Sequence, residues 1–236
     1  MKLLIVFLTQ NTELTFKLYE RILTIMLILL SSVFFVIILY DLSKRLTHKR
    51  SLFLDDMRYF LENSTLKSIV SEDHSQKVAA ISFAIAEAMG LSKKQQEEVR
   101  IAGLVHDVGK MRVPDAILNK KEKLNEEEWA IIKNHCKIGY DILLSMDKTK
   151  SMAKYSLQHH ERIDGNGYPN NIQGNNIALF SKIISIADAY DAMTSDRAYR
   201  KAMTKEQAIV EINNCSGTQF DPSIVKVFTK SVVTKI

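Results

Sequence analysis

Residues 157–169 read LQHHERIDGNGYP, two adjacent imidazoles and two carboxylates running into a Gly-Asn-Gly-Tyr-Pro turn. Structure alone rarely needs that mixture. His159 and His160 close a helix-compatible segment, 151–161, and Gly165 and Gly167 then supply backbone angles that other residues resist. A helix that ends in metal-type ligands and opens into a glycine-rich loop aims the ligands inward while the loop meets substrate. A polar turn beside two surface histidines would have the same local sequence, so the flanking chain has to decide.

Outward from this stretch the chain reads as all-α. Its 236 residues contain only 8 Gly and 3 Pro, so long stretches run without a helix breaker. The length suits one substantial core with a small appendage. Val78, Ile81, Ile85 and Met89 share one helical face, and Gly90 supplies a C-terminal stop. A second helix over 93–108 carries Val99, Ile101, Ala102, Leu104 and Val105 inward and finishes in His106-Asp107, with Gly109-Lys110 next. Turned inward, that His-Asp pair implies a cation or a basic partner, because buried charges need partners.

Residues 126–146 read as one helix, acidic at its start where the helix dipole favours it, with Trp129, Ile132, Leu143 and Leu144 among its apolar residues. Ile131, His135, Gly139 and Ile142 recur at helical spacing, which puts His135 on an apolar face; a satisfied core histidine would look the same. In 179–194 the apolar run of Ile183, Ile184, Ile186 and Ala187 is interrupted by Asp188 and Asp191, three residues apart and able to share a face. Two shorter helices, 205–215 and 222–228, are joined by GTQFDP, with Asp221 as N-cap and Pro222 in the first helical position. No segment reads as a strand.

The N-terminal region differs. Residues 22–40 form 19 uncharged positions, close to the roughly 20 that a helix needs to cross a bilayer. They predict one transmembrane helix within an anchor over 1–50, followed by a helical linker over 51–70. Lys44, Arg45, Lys49 and Arg50 follow at once, which by the positive-inside rule leaves the C-terminal bulk in the cytoplasm. The net charge of +5 is concentrated here: residues 1–50 hold 7 Lys/Arg against 3 Asp/Glu, and residues 51–236 hold 25 against 24. The basic excess therefore flanks the apolar run, which argues against a nucleic-acid polymer as partner. Cys136 and Cys215 show no paired framework, as expected in a reducing compartment.

Six histidines stand at positions 48, 74, 106, 135, 159 and 160, and all but His48 fall on or at the ends of predicted helices. His74, His106, His135, His159 and His160 with Asp107 and Asp188 make seven candidate ligands, more than one tetrahedral zinc takes. The surplus points to two or more metals. Nitrogen and carboxylate donors without thiolate suit iron, manganese or another first-row metal. A metal pair bridged by a carboxylate lowers the pKa of a water and holds a phosphate oxygen, which is the chemistry of phosphoester hydrolysis. Lys110 would neutralise phosphate charge, Tyr168 would stack on or hydrogen-bond to a nucleotide, and Arg197 and Arg200 would grip further phosphates.

The segments VHDVGKMRVPDAIL, HHERIDGNGYP, IADAYDAMTSDRAYRKA and GTQFDP resemble the HD-GYP family of HD-superfamily phosphohydrolases, over about residues 74 to 228. The resemblance implies an all-helical HD-superfamily bundle over 71–236, in a bacterial protein that hydrolyses cyclic di-GMP to pGpG and GMP. By position, His74, His106, Asp107, His135, His159, His160 and Asp188 match the metal ligands of that family, with Asp107 as the bridge. Lys110 matches the phosphate-facing lysine, and Tyr168, Arg197 and Arg200 match substrate contacts.

The resemblance implies iron or manganese as the metals, and diguanylate cyclase (GGDEF) proteins and a second copy, in a homodimer, as candidate partners. With the apolar N-terminal run, the implied location is a bacterial inner membrane, crossed once. Val70 stands where three-metal members carry glutamate and Glu72 is out of register, so two divalent ions per chain are expected. Cys136 and Ala198 replace common prolines, and Asn171 replaces a common glycine. An interaction module with little catalysis, and a phosphohydrolase of another cyclic dinucleotide or of a nucleotide, are the competing readings.

Overall fold

The apolar spacing that begins after residue 75 becomes helix α1, Glu72–Ala88, whose Val78, Ile81 and Ile85 are buried. It stops at Gly90, where φ is +73°. The computed structural model of the protein describes residues 24, 26–29, 31–32, 34–41, 43–44, 72–147, 149–196 and 201–233. Helix α2, Lys93–Val105, is started by a capping box in which Ser92 and Gln95 satisfy each other's backbone amides. It buries Val99, Ile101, Ala102 and Val105. A 3-10 turn, Val108–Arg112, and a single turn of helix, α3 (Asp115–Leu118), lead on to α4, Glu126–Lys133, which is capped by Asn125 and Glu128 in the same manner.

The predicted continuous helix over 126–146 is interrupted at Asn134, and α5, His135–Leu144, begins with the histidine itself. Here the His135 ring competes with the backbone for the Ile132 carbonyl, which lies 2.7 Å from its Nδ1. Trp129, Ile131 and Leu144, read as apolar positions of this helix, are exposed. Helix α6, Ala153–Gln158, ends just before the two histidines of the opening motif. Helix α7, Leu179–Thr194, buries Ile183, Ile184, Ile186 and Ala187 as the pattern predicts. Helices α8, Lys205–Asn214, and α9, Pro222–Val227, close the chain with a π-turn, Phe228–Val232, and Asp221 caps α9 ahead of Pro222. Among the described residues the only extended pairing is one isolated bridge between Ser216 and Phe220.

Helix α1 packs on α2, α7 and the terminal π-turn, α7 also meets α2, α6 and α8, and α5 lies between α6 and the 108–112 turn. Each fully buried Ile, Val or Phe in this core contributes about 1.5–3 kcal/mol. Two glycines set the closest approach. A Cβ on Gly109 would lie 1.9 Å from the His135 carbonyl oxygen and 2.5 Å from the Gly139 nitrogen. A Cβ on Gly139 would meet Ser156 Oγ at 2.5 Å. The turn after α2, the start of α5 and helix α6 therefore touch backbone to backbone. Ser156 completes the junction by donating its hydroxyl to the His106 carbonyl at 2.7 Å.

The chain divides into two compact units, Met1–Tyr59 and Phe60–Ile236. In the first, the described residues from 24 to 44 are helical. No helix of the described residues is long and apolar enough to cross a membrane. Crossing about 30 Å of hydrocarbon takes a continuous apolar helix of about 20 residues, and none of that kind is present among them. The transmembrane helix over 22–40, and with it the single-pass inner-membrane location, is corrected on this finding. The linker expected over 51–70 lies outside the described residues.

Replacing Gly109 by alanine is expected to lower stability by about 1–3 kcal/mol or more, since backbone atoms must move to admit the methyl group. Urea denaturation of the full chain followed by circular dichroism measures this, and an unchanged midpoint would mean that the close approach does not hold these segments together.

Candidate metal centre

Three histidines sit where helices end. His106 follows α2, His159 follows α6, and His135 follows the break after α4. Each ring turns back onto the carbonyl three residues earlier: His106 Nδ1 to Gly103 at 2.7 Å, His135 Nδ1 to Ile132 at 2.7 Å, and His159 Nδ1 to Ser156 at 2.6 Å. Carbonyls in the last turn of a helix lack their intrahelical amide partner and can accept from these rings. A carbonyl only accepts, so Nδ1 carries the proton and each Nε2 presents a bare lone pair. His74, on α1, is oriented differently, with its Nδ1 2.6 Å from Asp191 Oδ2 on α7.

The four Nε2 atoms converge on Asp107. His135 Nε2 lies 3.2 Å and His159 Nε2 3.7 Å from Oδ1, while His106 Nε2 lies 3.3 Å and His74 Nε2 3.8 Å from Oδ2. Asp188 Oδ1 comes within 3.4 Å of His74 Nε2, and the His135 and His159 Nε2 atoms face each other at 3.3 Å. Asp107, His106, His135 and His159 are buried, and His106 Nε2 and Asp107 Oδ1 have no hydrogen-bond partner. Buried acceptors aimed at acceptors are costly unless something positive lies between them.

The donor set fits a divalent first-row metal, and the fixed Nδ1 partners are the outer shell that such sites use to orient imidazoles. Three overlapping groups could hold ions: His74 with His106 and Asp188; His106 with Asp107 and His159; and His135 with Cys136, His159 and His160.

The two ends of the cluster differ in charge. Burial alone would lower the His74 imidazole, but hydrogen bonds to Asp107 and Asp191 and the nearby Asp188 charge outweigh it and raise it to about 9. This end favours a cation in any form. At the other end, burial and neighbouring imidazoles push His159 down to about 4 and His160 well below its usual value, so both stay neutral. Burial would raise Asp107, yet the Lys110 ammonium and the polar rings of His106 and His135 beside it hold it well below the usual carboxylate range. Lys110 Nζ sits 2.5 Å from Asp107 Oδ2.

The loop after His160 is pinned to the site. Buried Glu161 accepts the amides of Asn170 at 2.7 Å and Ile172 at 3.2 Å, and the Tyr168 amide donates to the His160 carbonyl at 3.2 Å. A Cβ on Gly167 would lie 2.4 Å from the Arg162 nitrogen, so only glycine fits against this turn. Asn171 has φ of +54°, a conformation that asparagine tolerates better than most residues, which accounts for its standing in a glycine position. The peptide between Tyr168 and Pro169 is cis. The Tyr168 ring lies over His160 with centroids 4.8 Å apart, and Lys133 Nζ is 5.6 Å from the same ring.

All seven candidate ligands named from the sequence thus come together, with Lys110 on Asp107 and Tyr168 on His160. Arg197 and Arg200 lie outside the described residues. Sequence reasoning passed over Asp191, which holds His74, and Glu161, which holds the loop. Asp191 had a signal in its three-residue spacing from Asp188, whereas the contact with His74 spans 117 positions. Cys136, in the third group, stands out in the sequence only as a replacement for a common proline.

The profile of the HD domain matches residues 62–224. The chain belongs to the HD-domain family. Within that family it is an HD-GYP member, as the HHERIDGNGYP stretch and the relatives agree. A cyclic di-GMP phosphodiesterase of Pseudomonas aeruginosa is 39% identical over 160 residues, covering 67% of this chain and 38% of that protein. A 3'3'-cGAMP-specific phosphodiesterase of Vibrio cholerae is 35% identical over 166 residues, covering 70% of this chain and 36% of that protein. The chain therefore spans less than half the length of these HD-domain relatives. The crystal structure of a cyclic GMP-AMP-specific phosphodiesterase from V. cholerae superposes with a TM-score of 0.54 at 21% identity, covering 69% of this chain and 44% of that one, a likeness of fold.

Asp191→Asn is expected to weaken metal binding roughly 10–100-fold, the usual effect of losing an outer-shell partner, without unfolding the domain. Competition with a metal chelator, set beside a thermal melt of the same protein, measures both; unchanged affinity would remove Asp191 from the orienting role.

Proposed function

We propose that this chain is a metal-dependent phosphodiesterase that hydrolyses cyclic di-GMP to pGpG and GMP, with its catalytic domain over 71–236. The observation that carries the reading is the convergence of the buried His106, His135 and His159 Nε2 atoms and the half-buried His74 Nε2 on the Asp107 carboxylate. Two divalent ions, iron or manganese, would be held by His74, His106 and Asp188 at one end and His135, His159 and His160 at the other, with Asp107 between them. When bound, such ions supply a water of lowered pKa and a Lewis-acid hold on the phosphate.

The protein's own groups do the rest. Lys110, 28% exposed at the rim and paired with Asp107, presents an ammonium that neutralises the charge of the phosphodiester. Tyr168 offers an aromatic face beside His160 for a base. Glu161 keeps that face in place through the Asn170 and Ile172 amides. Arg197 and Arg200 are assigned to the second phosphate. The V. cholerae relative named for 3'3'-cGAMP favours a second reading of the base preference, in which the mixed dinucleotide is the substrate.

His106→Ala and Asp107→Ala are each expected to abolish metal-dependent turnover of cyclic di-GMP while circular dichroism stays helical, and Lys110→Ala to lower kcat by roughly 10²–10³-fold. Full turnover in the first two variants would exclude this site as the catalytic one. Parallel assays with 3'3'-cGAMP separate the two substrates: a faster cyclic di-GMP rate is expected, and a faster cGAMP rate would replace it with the second reading.

A further inference from the structure

Cys136 lies beside the imidazoles of the cluster. It follows His135 on α5, its side chain is fully buried, and its Sγ points into the same space as the imidazoles of His135, His159 and His160. The donor atoms of those four residues all lie within 4.8 Å of one another. Two of the separations can be compared with coordination geometry. Tetrahedral bonds of about 2.0–2.1 Å to nitrogen and about 2.3 Å to sulfur put two nitrogens about 3.4 Å apart and a nitrogen and a sulfur about 3.6 Å apart. The His135 and His159 Nε2 atoms are 3.3 Å apart, and His135 Nε2 is 3.5 Å from Cys136 Sγ. Both edges match a tetrahedron around one ion.

A second observation comes from the imidazoles. With Nδ1 of His135 and of His159 donated to carbonyls, their buried Nε2 lone pairs face each other with no proton between them. Charge is also uneven. Around His74 stand Asp107, Asp188 and Asp191, whereas the group of His135, His159 and His160 includes no carboxylate of its own and shares only Asp107. A divalent ion held there by neutral imidazoles and the shared Asp107 gains a further anionic donor from the thiol, which lies within reach.

We infer that Cys136 is a further metal ligand, its sulfur completing a three-nitrogen, one-sulfur set with His135, His159 and His160. Binding forms the metal–sulfur bond and breaks the S–H bond, and the proton leaves to solvent. The His135 lone pair that could accept the thiol proton at 3.5 Å is taken by the same ion. Thiolate makes this end softer than the carboxylate-rich end, so it takes Fe(II), Co(II) or Zn(II) in preference to Mn(II).

This inference rests on the reading of the cluster as a metal centre, and cobalt(II) tests the two separately. The metal-free full chain loaded with cobalt(II) is expected to show a near-ultraviolet sulfur-to-cobalt charge-transfer absorption together with visible bands from the histidine-bound ion. Cys136→Ser should lose the first and keep the second, and Cys215→Ser should keep both. Visible bands without charge transfer in the unaltered protein, or charge transfer that survives in Cys136→Ser, overturns the sulfur ligand alone; no cobalt uptake overturns the metal centre with it. X-ray absorption of the zinc-loaded unaltered chain needs no variant: a sulfur shell at about 2.3 Å is expected, and only nitrogen and oxygen near about 2.0–2.1 Å overturns the assignment.

Discussion

The Nε2 atoms aimed at Asp107 are the constraint on which the rest of the structure depends. None of the rings can turn away without giving up a hydrogen bond: three are tied to carbonyls at helix ends and the fourth to Asp191. The helices must therefore end at one place, and the glycine contacts of 109 and 139 are what let them come close enough. The same feature that leaves helix C-termini with unpaired carbonyls makes them suitable holders of imidazoles in a defined tautomer. Helix termination and site assembly are one event in this protein.

The cluster is not symmetric about Asp107. On the α1–α7 side it is rich in carboxylate, and His74 bridges from α1 to Asp188 and Asp191 on α7. On the α5–α6 side it consists of imidazoles and a thiol, packed edge to face around His159. Such a division gives two ends of different charge and softness, which bears on which ions each end takes. The loop after His160 belongs to the second side, since Tyr168 lies on His160 and its backbone is fastened there through Glu161 and Gly167.

Much of this was legible in one dimension. The apolar period placed α1, α2 and α7 and their buried faces, and Asp221-Pro222 marked the start of α9. The concentration of histidines at predicted helix ends exposed the ligands, and HHERIDGNGYP exposed the loop. What failed has physical causes. A run of 19 uncharged residues meets the composition of a spanning helix, but composition does not make a continuous helix of that length, and none is found among the described residues. The helix over 126–146 read as unbroken because Asn134 is no strong breaker, and the competing donor to the Ile132 carbonyl was a histidine ring.

The sequence by itself determined the helices, the residues able to ligate and the loop that follows them, because hydrophobic period and turn chemistry are local properties of the chain. Only the tertiary structure decided which of those residues meet. His135 could have been an ordinary core histidine until α5 was laid against the turn after α2. Asp191 could have been a salt bridge to any base until α7 was packed on α1, and Cys136 was a buried thiol until α6 brought His159 and His160 to it. Each of these contacts joins residues on different helices, and their meeting follows from close backbone packing at glycines and buried apolar faces, which no local window of sequence contains.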